Sequence, residues 1–216
     1  RKKEIKMKKT LILALLLALV TVSIAEVPKS GAGIKLHMNL AGVYGDDVNE
    51  DDIISRNAFG ATGFVSFQFG NYFSLQPELS YMSRGYKAED FSYYDTDLIT
   101  KLDYFQFLIL MRFTIPTNSP VTPSFFFGPA GSLNIDAKLD MDTDVPYNED
   151  IDDVRVYDAG PVFGAGIDVN IGPGAVVAEG RYYMGLLKII DRTDYDRNPD
   201  SYNKAVELAI GYKFNL

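Results

Sequence analysis

The sequence predicts an eight-stranded antiparallel up-and-down transmembrane β-barrel, and three observations support this. Eight runs alternate apolar and polar side chains with a period of two, which is the pattern of strands with two different faces. The connections between the runs alternate between long and short. An apolar segment typical of protein export precedes the first run. A soluble sandwich has no reason to alternate its connections so regularly.

Length and composition restrict the class of protein. The 216 residues are 47% hydrophobic and 23% charged, which suits one ordinary domain and excludes a disordered chain. With no cysteine, the chain has no disulfides, thiolate zinc sites, cysteine nucleophile or lipid-anchored cysteine. The net charge of −8 argues against a nucleic-acid partner.

The first segment, residues 1–25, predicts an N-terminal extension plus a secretory signal peptide. Lys8 and Lys9 precede the apolar run 11–20, and Ser23 and Ala25 occupy the positions that a signal peptidase reads. The apolar run is short for a membrane span of ~20 residues, which disfavours the alternative of an uncleaved anchor. The remaining segment, 26–216, is the predicted barrel domain.

Each of the eight runs is predicted to be a strand because its side chains form two different faces. They cover residues 32–44, 57–70, 72–86, 100–114, 123–138, 156–171, 174–187 and 202–216. In the first run, Ile34 and Leu36 share one face while Lys35, His37 and Asn39 share the other. The fourth run is apolar on both faces and would also suit a soluble core. Together with the connections, the faces favour lipid outside and a polar interior.

The connections predict the orientation. Residues 45–56, 87–99, 139–154 and 188–201 form four long, mostly acidic connections, and 70–71, 114–122 and 172–173 form short ones. Outer-membrane barrels have long extracellular loops and short periplasmic turns. We therefore expect four acidic surface loops.

Charged residues of both signs fall on the predicted inner face. They are Glu78, Arg112, Glu179, Arg181, Glu207 and Lys213. Because a buried charge is costly unless it is paired, we expect a salt-bridged network that fills the lumen. The rival interpretation, a charged conduction path, needs a wider bore than eight strands supply.

The last run has an apolar or aromatic side chain at every second position. These residues are Leu208, Ile210, Tyr212, Phe214 and Leu216. Such a terminus resembles the signal that the outer-membrane assembly machinery recognises, although the usual last residue is Phe. Any final amphipathic strand would look similar.

Several segments in order carry a family resemblance. They are 69–81 (FGNYFSLQPELSY), 101–104 (KLDY), 126–131 (FFGPAG), 164–167 (GAGI), 179–182 (EGRY) and 211–214 (GYKF). They resemble the PorT-like outer-membrane β-barrel family of Bacteroidota, small barrels like those of OmpX and OmpA. The resemblance covers nearly all of residues 32–216 and departs at 105–107 and at Leu216. It implies fold and location, and no shared enzymatic activity.

Three other features suggest a hydrolase, a calcium loop and a dinucleotide-binding site, but each lacks part of the required pattern. His37 suggests a lipid-modifying hydrolase, but no nucleophile signature surrounds it in sequence, so a hydrogen-bonded lumen histidine is favoured. Residues 140–144 (DMDTD) resemble a calcium loop, but Val145 and Ile151 stand where the EF-hand needs Gly and Glu. Residues 164–166 (GAG) lack the third glycine of a dinucleotide fingerprint.

The sequence therefore predicts a monomeric, non-enzymatic barrel of the bacterial outer membrane with no cofactor and no catalytic or metal-binding residues. Its partners are outer-membrane lipids and the assembly machinery, while the partner of the loops is not specified. Its predicted role is envelope integrity, adhesion or partner binding. A lipid-modifying enzyme and a narrow pore are the alternatives.

Overall fold

The structure, a computed structural model, describes residues 30–46, 48, 53–88, 97–141, 147–151, 153–190 and 200–216. The predicted signal peptide, the middle of the long connections and Asp142–Asp144 of the calcium-like motif lie outside these residues. Within them, no helix has the length and apolar character needed to cross a membrane.

Nine β-strands make up the described fold. They are β1 (Ser30–Tyr44), β2 (Ile53–Phe69), β3 (Phe73–Ala88), β4 (Leu98–Thr114), β5 (Val121–Met141), β6 (Tyr147–Asp150), β7 (Tyr157–Ile171), β8 (Gly174–Lys188) and β9 (Tyr202–Asn215). Apart from β6, each strand pairs antiparallel with its neighbour in sequence, and β1 also pairs with β9. The sheet is therefore a closed eight-stranded barrel, and the predicted fold class is confirmed.

The two ends of the barrel differ. The end that we call the short-turn end holds the start of β1, the end of β9 and the connections 70–72, 115–120 and 172–173. There the amide of Leu216 donates to the carbonyl of Ser30 (2.8 Å), so the pairing of β9 with β1 extends to the last residue. The opposite end, the long-loop end, holds the four long connections.

Side chains alternate between lipid and lumen as the sequence predicts. On β1, Ile34 and Leu36 are exposed on the outside, while Lys35 and His37 are buried inside. The exposed apolar positions of β9 run from Val206 to Phe214. This length fits a membrane-spanning strand, which needs ~9–11 tilted residues.

Aromatic rings form a band on the outer surface near the short-turn end. Ring centroids lie 6.0 Å apart for Phe69 and Phe73, 5.3 Å for Phe73 and Phe113, and 5.2 Å for Phe113 and Phe125. Aromatic girdles of this kind mark the edge of the apolar band in transmembrane barrels.

The structure differs from the predicted connections in one place. Residues 139–154 are predicted as a loop, but β5 continues to Met141 and pairs there with the four-residue strand β6. An antiparallel hairpin satisfies its own backbone groups, so it extends beyond the length that lipid requires. A four-residue strand is also too short to show a clear alternation.

The lumen contains apolar side chains as well as polar ones. Leu108, Leu110, Phe126 and Tyr183 belong to a buried cluster midway along the barrel. A second buried cluster lies nearer the long-loop end. It comprises Val43, Leu102, Tyr104, Ala137 and Ile189, with Val48, Ile53, Tyr86, Ile151, Val154 and Ile190 packed against it. Apolar loop residues therefore fold inward over that end of the lumen.

Candidate functional site: the charged lumen

All six charged residues predicted for the lumen project from inward positions of their strands. Glu78 lies on β3, Arg112 on β4, and Glu179 and Arg181 on β8; all are buried. Glu207 and Lys213 are on β9. The structure joins four of these six directly. Lys213 is connected to Arg112 through Asp168, and Glu207 lies beside His37.

Arg181 is the centre of the site. Its guanidinium donates to both carboxylate oxygens of Glu78, at 2.7 Å from Nη1 to Oε2 and 2.9 Å from Nη2 to Oε1. The same side chain donates to Oε2 of Glu179, at 2.9 Å from Nε. A bidentate pair of this type fixes orientation as well as charge. It connects β3 to β8 across the lumen.

Lys35 of β1 was not among the predicted residues, and it bridges the same two carboxylates. Its Nζ donates to Oε1 of Glu78 at 2.5 Å and to Oε2 of Glu179 at 3.1 Å. Gln76 also donates to Oε1 of Glu78, at 2.6 Å. Each carboxylate is therefore paired with two cations or more, as a buried charge requires.

A chain of ion pairs continues from Glu179 toward the short-turn end. Arg112 donates to Glu179, to Oγ of Ser124 at 2.9 Å, and to Oδ1 of Asp168 at 3.4 Å. Lys213 donates to the other oxygen of Asp168. Asp168 was also missing from the predicted set, although it occupies an inward position on β7.

These contacts define one connected set, which we call the seven-residue network. Its members are Lys35, Glu78, Arg112, Asp168, Glu179, Arg181 and Lys213. Four of them are cations and three are carboxylates. The most exposed side chain of the network is that of Lys213, at 22%.

A polar cavity of about 480 Å³ opens beside Lys213 at the short-turn end. Arg112 and Asp168 also line it. The neutral side chains in its wall include Ser66, Gln68, Ser74, Thr114, Thr122 and Asn170. The seven-residue network and the apolar clusters lie between this cavity and the long-loop end.

His37 lies in a separate line of polar groups. Its Nε2 is 2.8 Å from Oγ1 of Thr62, which is in turn 2.7 Å from Oγ of Ser80. Its Nδ1 lies 3.6 Å from Oε2 of Glu207. A hydroxyl, which the sequence did not reveal beside His37, is therefore present. Thr62 is only 3% exposed, so the pair lies buried in the lumen.

Arg84 is a further lumen cation that the predicted set omitted. It is fully buried, its guanidinium carbon lies 3.6 Å from the centre of the Tyr183 ring, and Nη1 is 3.9 Å from Asp158. Asn203 donates to Oδ2 of Asp158 at 2.9 Å and to the Tyr104 hydroxyl at 3.0 Å. Cation–π packing therefore holds this charge.

Ion pairs on the outer surface lie near the long-loop end of β4 and β5. Lys101 donates to Asp140, and Lys138 donates to Asp136 (2.8 Å). The hydrogen bond to Asp136 raises the pKa of Lys138. These ion pairs lie beyond the apolar band and mark its edge. Among the described residues, no three acidic or histidine side chains are grouped to hold a metal ion.

The residues of the predicted assembly signal lie on the outside of β9. Leu208, Ile210, Phe214 and Leu216 are exposed. The ring of Tyr212 packs edge-on against Phe214 at 4.7 Å. This placement meets the geometric requirement for such a signal, whose recognition stays a prediction.

A closed barrel with an apolar outer band and a charged, filled lumen defines a transmembrane β-barrel. Residues 29–191 match the model of the outer membrane protein beta-barrel domain family. The chain therefore belongs to that family, and its location is the bacterial outer membrane. No curated protein matches the chain in sequence at the threshold of significance.

Solved structures share this architecture. The outer membrane protein OprG from Pseudomonas aeruginosa is 10% identical, with a TM-score of 0.51 over 88% of this chain and 96% of that one. Neisserial surface protein A is 16% identical, with a TM-score of 0.48 over 87% and 97%. Ail of Yersinia pestis, solved with the heparin analogue sucrose octasulfate, is 17% identical, with a TM-score of 0.44 over 86% and 99%. At these identities the likeness concerns the fold alone.

Proposed function

We propose that this protein is a non-enzymatic outer-membrane barrel whose filled lumen rigidly supports surface loops for envelope integrity, adhesion or partner binding. The observation that carries the proposal is the lumen itself. Charged residues paired across the barrel and two apolar clusters occupy its interior, which supports a structural role rather than conduction. In a barrel filled in this way, the surface loops rather than the lumen are accessible to partners.

The proposal includes an orientation. The four connections 45–56, 87–99, 139–154 and 188–201 hold 20 of the chain's 29 acidic residues and five of its 21 basic ones. Long connections are extracellular and short turns periplasmic in barrels of this kind. We therefore assign the long-loop end to the cell surface, as an acidic display, and propose a monomer inserted by the assembly machinery through the β9 pattern.

The PorT-like resemblance remains part of the proposal, as does the signal peptide of residues 1–25. The family match is broader than the PorT-like group. The ordered motifs, such as 69–81, support the narrower assignment.

Accessibility in intact cells tests the orientation. Epitope tags inserted after Asp144 and after Asn71 should differ, with only the first reached by antibody before the outer membrane is permeabilised. Both insertions should leave a heat-modifiable, folded barrel. Surface exposure of the tag after Asn71 in a folded protein would invert the model.

Function is tested by separating the loops from the lumen. In cells that lack the native gene, a barrel with residues 142–146 and 191–199 replaced by short Gly-Ser linkers should fold yet fail to restore envelope resistance or surface binding. Thr62→Val, which removes the hydroxyl beside His37, should restore both. The opposite pattern, with loss only in a folded Thr62→Val protein, would favour the lipid-modifying enzyme.

That enzyme is the second candidate because of a specific observation. The Thr62 hydroxyl lies 2.8 Å from Nε2 of His37, and a carboxylate oxygen of Glu207 lies 3.6 Å from Nδ1. The order of groups is that of a nucleophile, a base and an orienting acid. Their burial makes this candidate the weaker one.

A further inference from the structure

A groove of about 730 Å³ lies on the outer surface of the barrel, across β5, β7, β8 and β9. Its floor consists of small residues, namely Ala165, Ala178 and Gly180. Two large side chains rise beside that floor, Phe125 of β5 and Leu208 of β9, and both are exposed on the lipid-facing side. We call this depression the outer groove.

The register of the strands explains why the outer groove exists. One row of register partners crosses the four strands, and it consists of Phe125, Ala165, Gly180 and Leu208. Neighbouring strands lie about 4.8 Å apart, so the two small residues in the middle of the row leave a gap about two strands wide. A gap of this width admits an extended hydrocarbon chain.

The outer groove is closed at one end and open at the other. In the next row toward the long-loop end, Phe163 and Tyr182 are register partners whose rings stack 5.8 Å apart. In the opposite direction the lining reaches Ile115, in the connection 115–120 of the short-turn end. The segment of β7 from Ala165 to its end at Ile171 measures about 20 Å. At a strand tilt of about 45° it covers about half of the ~30 Å hydrocarbon core, which is one leaflet.

We propose that the outer groove binds one acyl chain of a phospholipid from the leaflet at the short-turn end. The groove is continuous with the lipid-facing surface, so hydrocarbon covers it. A chain that lies in it contacts the floor and both walls, with its methyl end against Phe163 and Tyr182, and gains more dispersion contact than on the convex surface elsewhere. A second barrel is convex as well, so its wall would contact the rims of the groove rather than the floor.

A tryptophan reporter tests this site, because the chain has no tryptophan of its own. Phe125→Trp places the reporter on the wall of the groove, and Phe105→Trp places it at an exposed position of β4 outside the groove. The full-length mature barrel in detergent micelles is titrated with phosphatidylethanolamine whose acyl chains carry bromine, which quenches tryptophan fluorescence.

The Phe125→Trp protein should reach half-quenching at a lipid concentration about tenfold lower than the Phe105→Trp protein, and should saturate with a single lipid per barrel. The extra burial of about two methylene groups is worth about that factor. Equal half-quenching concentrations for the two reporters would overturn the proposal.

Two glycine variants then locate the binding. In the Phe125→Trp background, Gly180→Leu fills the floor of the groove and should weaken lipid binding about tenfold. A Cβ at Gly180 would have its nearest contact at 4.0 Å, on Cδ2 of Leu208, so the barrel has room for the larger residue. Gly131→Leu is the matched control, since Gly131 also faces outward with open space around it and lies outside the groove. This control should leave quenching unchanged.

Heat-modifiable migration would verify that each variant is folded. A folded Gly180→Leu protein with unchanged quenching would refute the site. Native mass spectrometry adds an independent readout: one retained phospholipid per barrel supports the proposal, whereas a lipid-free mass of two barrels would assign the groove to a second copy and refute it. Lipid binding at the groove does not depend on the loops, so this result and the test of loop function can fail separately.

Discussion

Glu78 of β3 is distant in sequence from Glu179 and Arg181 of β8, and the three meet because all of them occupy inward positions of their strands. Glu179 accepts hydrogen bonds from Arg181, Arg112 and Lys35. Removing this one carboxylate would leave three buried cations with too few partners. The main effect of removing Glu179 would therefore be the cost of the buried cations that lose their partner.

Glu179→Gln should destabilise the barrel strongly. Breaking a buried ion pair from one side costs about 3–5 kcal/mol, because the remaining charges stay buried and uncompensated. Urea unfolding in lipid vesicles would measure the loss. Glu149→Gln, the same change at an exposed position of β6, should stay within about 0.5 kcal/mol of the parent. Adding Lys35→Met to Glu179→Gln should recover part of the lost unfolding free energy, because it removes one of the unpaired cations. Equal losses for the Glu149→Gln and Glu179→Gln proteins would contradict the paired network.

Two adjacent residues of β9 test the inside–outside alternation. Ile210 is 62% exposed toward lipid, and Ala209 is 6% exposed toward the lumen. Ile210→Arg should cost about 2–4 kcal/mol, the value for a basic residue near the bilayer midplane. Ala209→Ser should be nearly silent, because the lumen already holds polar groups. The same urea titrations measure both, and a comparable loss for Ala209→Ser would mean that the two faces are assigned wrongly.

At the scale of the strand, interior packing uses glycine to admit large side chains. A Cβ on Gly164 of β7 would lie 2.7 Å from the ring of Phe126 and 2.3 Å from the carbonyl oxygen of Gly180. Gly164 thus creates the space that Phe126 of the central apolar cluster occupies. By contrast, a Cβ on Gly131 of β5 would have no heavy atom within 4 Å.

Gly164→Ala should therefore destabilise the barrel by about 1–3 kcal/mol, the usual cost of overpacking a filled interior. Gly131→Ala should be neutral or slightly stabilising, since the chain loses freedom in the unfolded state without a clash. Midpoints of urea unfolding would compare the two. Combining Gly164→Ala with Phe126→Leu should return part of the loss, and a silent Gly164→Ala protein would show that β7 and β5 pack less tightly than described.

The sequence predicted the strands well because lipid on one face and a polar lumen on the other impose a strict period of two. The predicted runs 100–114 and 174–187 nearly coincide with β4 and β8. It missed β6, which is short, and the apolar cluster under the loops, where Ile189 follows the end of β8. Partners such as Lys35 and Asp168 share the inward parity of their strands. Their pairing depends on the stagger of the closed barrel, which a single sequence does not define.

At the scale of the whole molecule, closure removes the exposed strand edges that a membrane does not tolerate. Every barrel strand has two neighbours, and β1 pairs with β9 over residues 31–44 and 202–215. In hydrocarbon, an unpaired backbone group costs several kcal/mol, so closure at this seam is required for insertion. The seam also places the start of β1 beside the end of β9.

A covalent link across the seam tests closure. Met38 and Leu208 are register partners on the outer face of β1 and β9, and opposed residues of antiparallel strands have Cα atoms about 4.5–5.5 Å apart, within disulfide range. The chain has no cysteine of its own, so the double variant Met38→Cys/Leu208→Cys carries a single pair. After oxidation of the folded protein, the boiled, unreduced sample should migrate differently from the reduced one, because a loop spanning most of the chain is closed.

The pair Met38→Cys/Phe105→Cys, on strands that are not neighbours, should show no such difference. A disulfide in the second pair but not in the first would mean that the order of the strands around the barrel is wrong.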